Sequence, residues 1–103
     1  MPNFVMLTRL SHNGNRIPKG LMDLEGRVVE IIRKQCPEVK WLHNFAVLGP
    51  YNYLDIFSAP DGEAAFRVST IVQTIGNADT EVWPATEWKN YKEMVRRLPG
   101  GQG

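Results

Sequence analysis

The chain has 103 residues, 43% of them hydrophobic, with 12 Lys and Arg against 11 Asp and Glu, for a net charge of +1. That length predicts one domain, with a core moderate enough that burial against a partner subunit would add to its stability. The near-balance of charge excludes a single-sign field that would recruit nucleic acid or an anionic membrane.

In chain order, residues 3–10 (NFVMLTRL) read as a strand, stopped by the dense turn cluster Ser11-His12-Asn13-Gly14-Asn15. Ahead of that strand, Met1-Pro2-Asn3-Phe4 lacks the basic-then-apolar pattern of a signal peptide. Residues 19–36 switch to helical period, with Leu21, Leu24, Val28, Ile31, Ile32 and Gln35 on one side and Lys19, Glu25, Arg33 and Lys34 toward water. Pro37 closes this helix. Cys36, just before it, has no second cysteine to pair with and reads as a buried apolar thiol.

Residues 39–48 (VKWLHNFAVL) and 51–58 (YNYLDIFS) read as two strands of an antiparallel hairpin around Gly49-Pro50. Asp61 is placed to cap a helix over 62–75, with Glu63 in its first turn, an apolar stripe of Ala65, Val68, Val72 and Ile75, and Gly76-Asn77 as its stop. Residues 78–85 (ADTEVWPA) form a last strand ended by Pro84. Thr86 is expected to cap a short helix whose Trp88, Tyr91, Val95 and Leu98 share a face. Lys89, Lys92, Arg96 and Arg97 form its solvated side, and residues 99–103 a disordered tail behind a single domain over 1–98. No apolar run approaches the ~20 residues that span a bilayer, so no membrane partner is expected and the expected compartment is the cytoplasm.

The order is βαββαβ plus a C-terminal helix, an α+β, ferredoxin-like arrangement with two helices on one face of a four-stranded antiparallel sheet. Alternation along the strands then sorts side chains between the helix side and the free side. Leu54 and Ile56, purely aliphatic, are assigned to the helices, which sends Tyr53, Asp55 and Phe57 to the free face. Val82 is assigned inward, and Glu81 and Trp83 outward. A three-residue turn, Gly49-Pro50-Tyr51, would add Trp41, His43, Phe45 and Val47 to the free face, whereas a two-residue turn reverses that set. The three-residue turn is favoured because it leaves Leu42, Ala46 and Leu48 under the helices. So large an aromatic face cannot stay in water, and the economical cover is a second copy of the same sheet, closing a barrel between the two.

Gly49-Pro50-Tyr51-Asn52, Ala59-Pro60-Asp61 with Glu63-Ala64, and Gly76-Asn77 with Thr80-Glu81 resemble the GYD-domain family, and the opening strand ending Leu7-Thr8-Arg9 is similar too. The resemblance covers nearly the whole chain. It implies a small bacterial protein of the dimeric α/β-barrel superfamily, a fold that hosts cofactor-free monooxygenases, isomerases, dehalogenases and haem-handling proteins and does not by itself transfer an activity. Asn52 stands where the family usually carries Asp, so a catalytic role of that carboxylate would be missing here.

Asp55 and His43 are the candidate catalytic pair, an imidazole held by a carboxylate in an apolar cleft. The plainer readings are a structural Asp55–Arg9 ion pair and a satisfied interior or interface histidine. Arg9, Trp41, Phe45, Tyr53, Phe57, Glu81 and Trp83 are the candidate ligand-lining residues, with a dimer interface as the alternative for the rings and an interface salt bridge for Glu81. No phosphate loop, metal-ligand spacing or activated nucleophile is present, no cofactor is expected, and a lone His12 or His43 is thin ground for haem. The functional expectation is a homodimer binding a small apolar or aromatic molecule in an interior pocket, with cofactor-free monooxygenase-like or isomerase-like chemistry. The alternative is a non-catalytic ligand sensor or structural dimer module.

Overall fold

The computed structural model describes residues 1–10 and 18–101. The turn cluster at 11–15, with His12, lies outside the described residues, as does the end of the tail at 102–103. Seven elements follow one another: β1 (Asn3–Leu10), α1 (Pro18–Gln35), β2 (Lys40–Ala46), β3 (Tyr53–Ser58), α2 (Gly62–Thr74), β4 (Ala78–Ala85) and α3 (Trp88–Arg96). The strands form one antiparallel sheet in the order β2-β3-β1-β4. This is the expected α+β, ferredoxin-like fold.

Local chemistry accounts for the boundaries. Pro18 opens α1, where a missing N–H costs nothing. At its end the Cys36 N–H donates to the Ile32 carbonyl, and Val39 N–H to the Cys36 carbonyl. Asp61 caps α2 by accepting from the Ala64 N–H at 2.9 Å. That helix stops at Gly76 and Asn77, the latter left-handed at φ 50°, a region Asn tolerates better than most residues. Pro84 sits within β4 rather than ending it, which an edge strand permits. The cap of α3 is Glu87, not Thr86, and its side chain makes no capping hydrogen bond.

The core lies between the sheet and the helices: Phe4, Met6 and Phe57 from the strands meet Ile32, Cys36, Ala64, Ala65, Val68 and Val72, with Trp41 and Val82 packed against them. Phe57 stacks on Phe4 at 5.6 Å and tilts against Trp41 at 5.3 Å. Phe57 therefore faces the helices, and the expected orientation of β3 is inverted. The reason is volume. The helical side supplies small residues, Cys36, Ala64 and Ala65, and close packing then requires large side chains from the sheet. Leu54 and Ile56 take the free face.

The hairpin register also differs from expectation. Ala46 pairs with Tyr53, and the Val47 N–H donates to the Asn52 carbonyl, so the pairing has the parity of a two-residue turn. With β3 inverted as well, the two errors cancel for His43 and Phe45, which pair with Ile56 and Leu54 on the free face. Between Trp41 and His43 a bulge shifts the register by one residue and turns Trp41 to the core.

Candidate functional site

The helix side of the sheet is not uniformly apolar. At one end lie Phe4, Met6, Phe57 and Trp41. Toward the other end, Thr8 pairs with Tyr53, and Asp55 lies across from Asn44 on one side and the buried Met6 on the other. Strand alternation puts all of these on the face that Phe57 shares, making a polar corner of Thr8, Asn44, Tyr53 and Asp55.

Asn44 Nδ2 donates to Asp55 Oδ1 at 2.8 Å. Burial pushes the Asp55 carboxyl above the usual carboxylate range, and the weaker opposing pull of that hydrogen bond does not undo it. Among the described residues no Lys, Arg or His lies within ion-pair distance of Asp55. The expected Arg9–Asp55 pair is not formed: Arg9 sits 3.7 Å from Asp79 and 5.7 Å over the Tyr51 ring. A half-buried carboxyl raised in this way and steadied by one amide donor, with Thr8 and Tyr53 on the same face of the sheet, is equipped to take or give a proton.

His43 is elsewhere. It stacks on Phe45 at 5.9 Å on the free face, so within one chain the proposed Asp55–His43 pair is split across the sheet. Of the other expected residues, Tyr53 shares the face of Asp55, and Trp41 and Phe57 belong to the core. Arg9, Phe45, Glu81 and Trp83 lie on the free face with Val5, Leu7, Leu54 and Ile56, as the pairings Val5↔Trp83, Leu7↔Glu81, Arg9↔Asp79 and Phe45↔Leu54 require. Sequence reasoning missed Asn44 and Thr8. For Asn44 the signal was the hairpin parity, since only the observed register sets it opposite Asp55. Thr8 lies on β1, outside the hairpin, and meets Tyr53 through the β1–β3 pairing.

Asn52 has a structural task. Its Oδ1 accepts from the Leu10 N–H at 2.8 Å, and its own N–H donates to the Thr8 carbonyl at 2.8 Å, so it ties the hairpin loop to the end of β1. An Asp oxygen would accept the same bond. Cys36 is buried, and burial pushes its thiol up, away from thiolate chemistry. Among the described residues no group of three or more His, Cys, Asp or Glu is placed to hold a metal, and no helix is long and apolar enough to cross a membrane.

These features define a ferredoxin-like α+β domain with a polar corner on the helix-side face of its sheet and an opposite face carrying Phe45 and Trp83. Residues 4–95 match the GYD domain, and the chain belongs to that family. Comparison with curated proteins gives no match.

Proposed function

We propose that this GYD-domain protein is a homodimer, joined through the helix-free sheet face, that binds a small and largely apolar molecule at the corner of Thr8, Asn44, Tyr53 and Asp55 and moves a proton on it without a cofactor. The observation that carries the reading is Asp55. An ionisable carboxyl is kept half-buried, raised by that burial and, among the described residues, without a cation to compensate it. A residue serving only stability would be better placed in water or in a salt bridge. Asp55 is the acid–base group, Asn44 orients it, and the Tyr53 and Thr8 hydroxyls are donors for a polar atom of the ligand. His43 belongs to the dimer side of the sheet, together with Phe45 and Trp83.

The test is a thermal-shift screen of small aromatic acids, phenols and enolisable ketones on the wild type and on Asp55→Asn. Stabilisation by one chemical class that disappears in Asp55→Asn is expected. Equal shifts in both proteins, or none with any class, would remove Asp55 from a binding role and leave a structural dimer.

A further inference from the structure

α3 stands apart from the rest of the fold. None of its residues is buried, yet one side of it is apolar: Trp88 is 68% exposed, Tyr91 43%, Met94 40% and Leu98, just past its end, 51%. Trp88 stacks on Tyr91 at 5.5 Å, so the two rings present a flat, pre-ordered platform. The helix is well formed, with the Tyr91 N–H donating to the Glu87 carbonyl at its start and the Leu98 N–H to the Val95 carbonyl at its end. The molecule is correspondingly long, 56 Å by 30 Å by 17 Å, with a radius of gyration of 16.2 Å, against about 13 Å for a compact chain of this length. A nine-residue helix is too short to hold itself together in water, so a surface must support it.

We infer that α3 is an arm that closes on a second copy of this chain. The inference rests on the homodimer reading above and adds the surface that completes it. Area decides in its favour. The α3 stripe offers on the order of 400 Å² of apolar surface, about half of what one partner contributes to a standard interface. The sheet's free face, with Phe45 51% and Trp83 50% exposed, offers a similar amount. Neither alone makes a stable dimer, and together they match one. Two-fold symmetry lets each copy give one arm and receive one. The polar side of α3, carrying Lys89, Lys92, Arg96 and Arg97, stays in water. A membrane surface is the less fitting occupant: the helix is about two and a half turns long, and Glu87 and Glu93 interrupt its basic side, with Glu93 paired to Arg96.

The test is the dimer dissociation constant of the full chain, by sedimentation equilibrium, beside Trp88→Ala/Tyr91→Ala, Leu98→Ala and the control Phe66→Ala. Phe66 is at least as exposed but lies on α2, which packs on the core side of the sheet, opposite the free face. The double variant is expected to weaken the dimer at least about 10-fold, the scale of truncating one interface anchor. Leu98→Ala should weaken it less and Phe66→Ala not at all, with the sheet signature in circular dichroism unchanged. A wild-type dimer whose constant does not move in either α3 variant overturns the arm while leaving the dimer intact. A wild-type chain that is monomeric at tens of micromolar overturns both. Binding of the full chain to anionic phospholipid vesicles that is lost in the double variant, with the dimer constant unmoved, assigns α3 to a membrane and overturns the proposal.

Discussion

At the scale of single residues, Asp55 sets the pH behaviour. Its carboxyl is raised in the folded chain by burial, so the native state holds that proton more tightly than the unfolded chain does. Stability from this group is therefore present at low pH and is lost as pH rises from the ordinary carboxylate range through the raised native value. Asn at position 55 keeps an oxygen to accept from Asn44 and carries no charge. Asp55→Asn is expected to be more stable than wild type at pH 7, with the difference shrinking as the pH is lowered; urea unfolding at several pH values reads it. A variant less stable at pH 7 would mean that the charge is compensated in the native state after all. Cys36 offers a second check. Buried, with its thiol pushed up, it should resist iodoacetamide at pH 8 in the native protein and react promptly in urea, as mass spectrometry would show.

At the scale of elements, α2 and the hairpin depend on a few contacts. Asp61→Ala removes the bond to the Ala64 N–H and should lower stability by about 1 kcal/mol. At the other end of α2, a methyl group on Gly76 would sit 2.5 Å from the Val72 carbonyl oxygen, part of the helix backbone. Backbone cannot yield cheaply, so Gly76→Ala is expected to cost more than the lost cap, which denaturation midpoints of the two variants would compare. In the hairpin, Asn52→Ala removes the side-chain acceptor of the Leu10 N–H and should cost about 1 kcal/mol, whereas Asn52→Asp restores that acceptor and should stay close to wild type.

At the scale of the whole molecule, the free sheet face and α3 both leave large apolar side chains in water, Phe45 and Trp83 on the one and Trp88 and Tyr91 on the other. Light scattering at micromolar concentration should give about twice the 11.7 kDa chain mass. Trp83→Asp and Phe45→Asp place a charge on the free face, and each is expected to yield a folded monomer. Phe57→Asp is a different experiment: that ring fills the core between Phe4 and Trp41, so the chain should unfold rather than dissociate. Retention of the dimer in both free-face variants would sink the sheet-to-sheet arrangement.

The order of elements, the caps at Asp61 and Gly76-Asn77, the two-helix layer and the family resemblance were all legible in the residues. Each depends on interactions within a few positions along the chain, where periodicity and turn chemistry act. The candidate site was legible only in part. Asp55 stood out as a carboxylate in an apolar strand, but its face, its partner Asn44 and its separation from His43 did not follow from alternation. Alternation divides a strand into two sets without saying which set meets the helices. That choice was made by volume: Ala64, Ala65 and Cys36 leave room that Phe57 and Phe4 fill and that Leu54 and Ile56 would not. A single bulge at Leu42 then carried Trp41 to the core while His43 and Phe45 stayed on the free face, because one extra residue reverses every side chain beyond it. Local sequence determined what forms. The packing of helices on the sheet decided which way it faces, and with it where the chemistry sits.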